Sequence, residues 1–318
     1  YQSKDNGRNS LNFFNDNLKT QATMALQLEE ELRMALLEER GLCVHYQPIF
    51  DMRSGQLAKL EALVRWQHPQ HGLLGPERFI GIAEANGLII DLDLWVLRHA
   101  CNDLAHLQRY GYGDFKVTVN CSAVTLNHDE LPNEVEKALF HAGLCARQLE
   151  LEVTENALMG DLQHTVNLLK RVRALGVTLS IDDFGTGYSS LAYLKRLPLD
   201  VLKIDRTFLQ DVPGSQKDRE IVQAIIVMAH TLHLQVVSEG VETTEQQAFL
   251  KTHGCDYLQG YLLGRPVPLA ELRPLLERLQ RQDGVLNPCY GKVLPGSPDL
   301  FAGNPGYRAG ASIARRGH

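Results

Sequence analysis

Residues Leu149–Phe184 read LELEVTENALMGDLQHTVNLLKRVRALGVTLSIDDF, and the order of patterns in this stretch decides the fold. Leu149–Glu155 and Thr178–Phe184 are apolar, partly β-branched runs of strand length, and Leu162–Leu175 between them spaces its apolar residues as a helix does. Strand, helix, strand makes a βαβ unit with parallel strands. The alternation continues in both directions. Upstream lie the runs Val44–Phe50, Leu57–Trp66 and Lys116–Ser122; downstream lie Val201–Phe208, Gln235–Val241 and Tyr257–Gly264. Helical patterns occupy Leu92–Tyr110, Asp129–Ala142, Lys217–Leu232 and Glu245–His253. Eight strand runs within about 240 residues predict an α/β fold, a (β/α)8 TIM-like barrel. A doubly wound sheet is the alternative, disfavoured because no G-x-G-x-x-G follows the first strand. Only a short turn with Asp51, Arg53, Ser54 and Gly55 joins the first two runs, so the first strand is expected to be antiparallel.

Outside this region the pattern changes. Residues 17–40 predict a charged connecting helix, with Leu18, Leu28, Leu32 and Leu36 near helical spacing, a cap at Asp16 or Asn17 and a stop at Gly41. Residues 283–318, with Pro288, Pro295, Pro298, Pro305 and many glycines, predict an irregular tail. Among 318 residues, 32 Lys and Arg against 38 Asp and Glu leave a formal charge of −6. That balance argues against a protein that coats a DNA or RNA duplex or an anionic membrane. The polar start and the lack of a spanning apolar run predict a cytoplasmic chain making no membrane contact of its own. Without an initiator Met the chain is expected to be part of a longer protein, whose upstream segments could anchor it to a membrane. Six scattered cysteines without a C-x-x-C pair read as buried free thiols, and His68 and His71 read as solvated loop residues.

The chemistry lies where polar residues interrupt the strand runs. Glu61, Asn120, Glu152, Glu155, Asp182, Asp183, Lys203, Asp205, Glu239, Glu242 and Gln259 fall in or just after them, mostly near the C-terminal ends where barrels build their sites. Each has an ordinary explanation: Asp182 or Asp183 as a helix N-cap, Lys203 as an internal ion-pair partner, Glu239 or Glu242 as a first-turn helix acid. Together, converging carboxylates repel one another unless cations neutralise them. An all-oxygen donor set suits Mg²⁺ or Mn²⁺, and the adjacent acids Asp182 and Asp183 suit a two-metal hydrolase of phosphate esters. A glycine-containing loop, Asp182–Ser190, follows the acid pair; it lacks the Lys of a phosphate-cradling P-loop.

These residues resemble the EAL-domain cyclic di-GMP phosphodiesterases. Glu61-Ala62-Leu63-Val64-Arg65-Trp66 looks like the signature of that family. Its other motifs stand in order: Gln47-Pro48-Ile49, Asn120, Glu152-Val153-Thr154-Glu155, Asp182–Ser190, Lys203-Ile204-Asp205, Glu239-Gly240-Val241-Glu242 and Gln259-Gly260-Tyr261. The likeness spans roughly Leu42 to Leu279 within a barrel domain set at residues 41–282. It implies a barrel with an antiparallel first strand and hydrolysis of cyclic di-GMP to linear pGpG. It also implies two Mg²⁺ or Mn²⁺ ions, one on Glu61, Asn120, Glu152 and Asp182, the other on Asp182, Asp183 and Glu239. By the same resemblance Lys203 would orient the water, Arg65 would grip a phosphate, and Glu155 would hold the Asp182–Ser190 loop. Gln47, Leu63, Asp205, Glu242, Gln259 and Pro266 would take substrate or supporting roles. Ser238, Cys121 and Asn156 depart from the pattern without removing a ligand. Residues 1–16 resemble the close of a GGDEF diguanylate cyclase domain, which implies a tandem protein, and family members commonly form homodimers. Two other readings are a silent cyclic di-GMP receptor or partner-docking module, and a lyase-type barrel. The lyase needs an amine nucleophile, and Lys203 among acids is expected to keep a raised pKa.

Overall fold

The computed structural model describes residues 23–159, 162–185 and 194–282. The expected remnant at residues 1–16, the cap at Asp16 or Asn17, residues 186–190 of the glycine-containing loop and the tail lie outside the described residues. The strands are β1 (Leu42–Asp51), β2 (Leu57–His68), β3 (Gly72–Leu74), β4 (Lys116–Cys121), β5 (Leu149–Thr154), β6 (Thr178–Phe184), β7 (Val201–Ile204), β8 (Gln235–Ser238), β9 (Tyr257–Gln259) and β10 (Val267–Pro268). Eight of them close on themselves in the order β1-β2-β4-β5-β6-β7-β8-β9, with β3 and β10 as flanking additions. Neighbours from β2 round to β9 pair in parallel. β1 is antiparallel to both β2 and β9, with Gln47 opposite Glu61 and Ile49 opposite Gln259.

The turn after β1 accounts for that reversal. Asp51 accepts backbone hydrogen bonds from Arg53 and Ser54 at 3.0 and 2.7 Å, an Asx turn, and Gly55 takes φ of +70°. The chain therefore doubles back within a few residues and leaves no room for a crossover helix. Outward-facing residues such as Leu60, Val119, Leu151, Ile181, Leu202 and Val236 join the main apolar core. Strand alternation sends the other set inward. Ile49, Val201 and Val237 form a small separate cluster with Tyr257, beside a buried Lys59–Glu150 ion pair of 2.7 Å. The interior is a packed plug, with the Lys59–Glu150 pair near the N-terminal ends of the parallel strands and a larger polar set at their C-terminal ends.

Several expected boundaries move. The run Val201–Phe208 stops as a strand at Ile204, because the Asp205 side chain accepts the Thr207 N–H and starts a tight turn over Arg206–Phe208. β8 and β9 end at Ser238 and Gln259, short of the expected Val241 and Gly264. After Gln259 the chain turns, with the Leu263 and Gly264 N–H groups both donating to the Gly260 carbonyl at 3.0 Å, and Gly260 lies so close to the Val241 backbone that only glycine fits there. A helix not anticipated from the sequence, Leu269–Gln282, packs Leu272 and Leu276 against the core; Pro274 inside it breaks the helical signal.

The connecting helix, α1, covers residues 23–38 of the described chain and buries Leu32 completely. Full burial of a leucine contributes about 2 kcal/mol. Its Glu31 reaches His68, which is 2 % exposed rather than solvated as expected. The His68 Nδ1 accepts backbone N–H bonds from Gln70 and His71, so its Nε2 donates to Glu31 at 2.8 Å. Trp66 packs edge-on against the ring. Of the cysteines within the described residues, Cys101, Cys121 and Cys255 are buried free thiols as expected, Cys43 is half-buried and Cys145 is exposed. Among the described residues no helix is long and apolar enough to cross a membrane.

Candidate active site

The C-terminal ends of the parallel strands share one mouth, and the inward positions there are polar. Lys203, fully buried on β7, is the hub. Its Nζ lies 2.6 Å from Glu152 Oε2 (β5), 2.6 Å from Glu239 Oε1 just after β8, 3.4 Å from Asp182 Oδ1 (β6) and 3.8 Å from Glu61 Oε1 (β2). Asn120, from β4, donates to Glu61 Oε1 at 3.1 Å. Gln259 donates to Gln47 at 3.1 Å and to Glu61 Oε2, so β9 braces the carboxylate and β1 braces the amide that does so.

Asp182 and Asp183 pose a geometric question, since consecutive strand residues face opposite ways. Asp183 adopts φ of +54°, and the pairing of β6 with β7 shifts register between Ile181 and Phe184. Aspartate tolerates this left-handed conformation better than most residues. Alternation is broken, and Asp182, Asp183 and Glu239 present ligand oxygens within 4.8 Å of one another. The Asp183 N–H donates to Asp182 Oδ1 at 2.9 Å. Gly185 follows at φ of +95°, with Phe208 so close that a Cβ would lie 2.6 Å from its ring; its N–H donates to Glu155 Oε2 at 2.9 Å. Glu155 thus holds the start of the loop and stands outside the acid cluster.

Above these groups opens a cavity of about 470 Å³ walled by Gln47, Leu63, Asp182, Asp183, Glu239 and Glu242, among others. Glu61, Asp205 and Gln259 also reach it. Asn120, Glu152, Glu155, Lys203, Arg65 and Pro266 are not among the residues that line it; Glu152, Glu155 and Lys203 are buried and Asn120 is half-buried. The Arg65 guanidinium instead donates to the carbonyl of Val64 at 2.8 Å, with the Glu77 carboxylate acting on it. Pro76 and Arg206 line the mouth without being singled out in the sequence, and so does Tyr261, which the sequence offers only as the end of the Gln259-Gly260-Tyr261 motif. Arg265 stacks on the Tyr261 ring at 4.1 Å from its centroid. Arg206 fits only because Gly240, at φ of +67°, has no Cβ to meet it, a relation between distant residues that no local pattern announces.

Several carboxylates face one ammonium here, and their protonation reflects it. Burial pushes Glu239 up to about 8, opposed by Lys203 and reinforced by Asp182 and Glu61. Burial likewise raises Glu152 far above the usual carboxylate range, and burial and then Asp182 raise Asp183. For Lys203 burial favours loss of the proton, but Asp182, Glu152, Glu239 and Glu61 together hold its pKa well above that of a free lysine. Glu152 Oε1 and Gln259 Oε1 are buried without a hydrogen-bond partner. An oxygen-only donor set short of positive charge fits a hard divalent cation. Raised acids make a testable prediction. Between about pH 5 and 8 the folded cation-free chain holds protons that the unfolded chain has released, so its stability falls as pH rises through this window. Melting temperatures in EDTA should decline from pH 5 to 8, and saturating Mg²⁺ should flatten the decline; a rise with pH would contradict the charge balance described.

Comparison with known proteins agrees with this architecture. The EAL domain family model matches residues 29–266. The chain is 58% identical over 276 residues to cyclic di-GMP phosphodiesterase NbdA of Pseudomonas aeruginosa, a match over 87% of this chain and 35% of NbdA. It is 46% identical over 272 residues to the bifunctional diguanylate cyclase/cyclic di-GMP phosphodiesterase MucR of the same organism, 86% of this chain and 40% of MucR. The chain therefore spans about two fifths or less of these curated relatives. A solved complex of the PaMucR phosphodiesterase with c-di-GMP superposes with a TM-score of 0.74 at 46% identity, over 77% of this chain and 99% of that one. EAL enzyme Bd1971 in its cAMP- and cyclic-di-GMP-bound form gives 0.77 at 32% identity, over 84% and 73%. With one antiparallel strand in an otherwise parallel barrel, an acid-rich mouth around a buried lysine and a family match across most of its length, the chain belongs to the EAL domain family.

Proposed function

We propose that this chain hydrolyses cyclic di-GMP to linear pGpG, using two Mg²⁺ or Mn²⁺ ions held in the barrel mouth. The observation that carries the reading is the acid set converging on Lys203, with Asp182, Asp183 and Glu239 inside 4.8 Å of one another. Glu61, Asn120, Glu152 and Asp182 would hold one ion, and Asp182, Asp183 and Glu239 the other. When bound, the ions supply Lewis-acid activation of water and offset charge on the scissile phosphate. Lys203 keeps its proton and places a fixed positive charge beneath the reacting phosphate. Gln259 holds Glu61 in one orientation and is itself held by Gln47, and Glu155 anchors the loop that starts at Gly185. Arg65, near the rim, would turn from the Val64 carbonyl to a phosphate oxygen. Exposed Glu242 and the Tyr261–Arg265 stack supply polar and planar surface for a guanine. The printed names of NbdA and MucR support the substrate, and MucR also supports an upstream cyclase domain in the whole protein. A homodimer is part of the same proposal.

Chromatography of cyclic di-GMP incubated with the chain and Mg²⁺ or Mn²⁺ tests the reading. Appearance of pGpG that EDTA abolishes supports it; tight binding with intact nucleotide would make the chain a receptor instead. Calcium should inhibit, because its ligand distances of about 2.3–2.6 Å and loose geometry differ from the roughly 2.0–2.1 Å octahedron of Mg²⁺. Turnover in Ca²⁺ alone, measured in the same assay, would count against the site as described.

A further inference from the structure

We infer that Asp93, on the helix Ile89–Arg109, is a positioning residue that sets where Asn120 presents its amide oxygen; the inference rests on the reading of Asn120 as a cation ligand. Asn120 stands one residue from the end of β4, where a strand side chain is held only as firmly as the chain that leaves the strand. The next step out is Ser122, and its N–H donates to Asp93 Oδ2 at 2.9 Å. Ser122 in turn starts the short helix Ala123–Leu126: its Oγ accepts from Thr125 N at 3.2 Å and donates to Thr125 Oγ1 at 3.0 Å. Thr125 is buried. The turn is therefore gripped from two sides, and the grip from outside it comes from Asp93.

The surroundings make this an uncommon arrangement for a mere surface contact. Burial pushes the Asp93 carboxyl up to about 6 against the pull of its bonds to Ser122 and Thr125. A carboxyl kept in such a place has to be compensated by the N–H and hydroxyl donors around it, so its geometry is strongly directed. Beside it, the buried Cys121 thiol donates to the Ser122 carbonyl at 3.8 Å, a weak sulfur contact next to the charge-assisted bond from the Ser122 N–H to Asp93. Asn120 Nδ2 is committed to Glu61 at 3.1 Å, which leaves its oxygen as the free end of the amide. With the strand exit pinned by Asp93 and the amide nitrogen pinned by Glu61, that oxygen has one direction to point. Partners of this kind outside the ligand set typically change metal affinity by about 10- to 100-fold when removed.

The experiment is a double-mutant cycle on the full chain, read by Mn²⁺ binding through the electron paramagnetic resonance signal of free Mn²⁺, with kcat and KM for cyclic di-GMP alongside. Asp93→Ala should weaken Mn²⁺ binding about 10-fold, within the range for such partners. Asp93→Asn, which keeps an oxygen acceptor for the Ser122 N–H, should recover most of that affinity. On an Asn120→Ala background, Asp93→Ala should add no further loss. If Asp93→Ala does not fold, Ser122→Pro deletes the donor from the other side, since Ser122 already has φ of −66°, which proline adopts; Ser122→Ala, which removes only the hydroxyl, is its reference, and the Mn²⁺ affinity should fall further in the proline variant. Full additivity of the two alanine variants, or an Asp93→Ala chain with wild-type Mn²⁺ affinity beside a weakened Asn120→Ala, would overturn the inference alone. Unaltered Mn²⁺ affinity in Asn120→Ala would overturn the ligand reading beneath it, and the inference with it.

Discussion

Asp182→Asn is expected to abolish hydrolysis of cyclic di-GMP while raising the melting temperature of the cation-free chain. The two effects share one cause. Asp182 raises the protonation of Glu152, Asp183 and Glu239, three repulsions, and offers Lys203 one attraction at 3.4 Å. The loss includes the largest single charge attraction on Lys203, but Lys203 keeps its two contacts of 2.6 Å and three buried acids are relieved together, so the expected balance is a gain. Relief equivalent to one unit of pKa is about 1.4 kcal/mol, and for a domain of this size that shifts melting by roughly 3–5 °C. In the proposed site the same carboxylate would belong to both ion-binding sets, so neutralising it should cost kcat about 10³-fold or more. Melting curves in EDTA and single-turnover assays in Mn²⁺ check the two halves independently. A variant with near-normal kcat would contradict the shared-ligand role, and a lower melting temperature would contradict the account of repulsion. Gain of stability on loss of function is the usual mark of a site whose charges are held together by the rest of the fold.

That strain explains which parts of the molecule could be read from its residues. The barrel was legible because its strands are apolar runs between amphipathic helices, and the antiparallel β1 because no helix fits in the turn at Asp51–Gly55. The acids were legible as interruptions of apolar runs. What brings Asp182 and Asp183 to the same side was not, because it depends on a backbone angle at Asp183 and a register shift against β7 that only tertiary packing imposes. His68 departs from its expected place for a related reason: its Pro-Gln neighbours look like a solvated loop, and its partner Glu31 lies on a helix far away in sequence. Arg206 and Asp93 have no local signature because each acts through a contact with a distant residue, Gly240 or Ser122, and the motif that contains Tyr261 does not announce its stacking with Arg265. The terminal helix with Pro274 was hidden by its own breaker residue.

Lys203→Met is expected to have the largest effect on the protein without its ions. The substitution keeps much of the side-chain length and removes the buried ammonium inside the acid cluster. Glu152 and Glu239 then lose their contacts of 2.6 Å while remaining buried among other carboxylates. Breaking a buried pair from one side costs about 3–5 kcal/mol, and the acids can lessen this only by taking up protons. Melting in EDTA should therefore fall by roughly 10 °C at neutral pH, on the scale of about 2–4 °C per kcal/mol. The fall should be smaller at pH 5 than at pH 8, because protonated acids need no counter-charge. Mn²⁺ should restore more stability to the variant than to the parent, since the ions supply the charge that the lysine no longer does. For catalysis, the decisive quantity is how the loss divides. Lys203 does not line the cavity, so it has little to offer a resting substrate, but its fixed charge counts as negative charge builds on the phosphate. The variant should therefore lose kcat at saturating Mn²⁺ with KM for cyclic di-GMP nearly unchanged. A raised KM with unaltered kcat would place Lys203 among the substrate-binding groups instead, and an unchanged melting temperature in EDTA would mean that the acids around it do not depend on its charge.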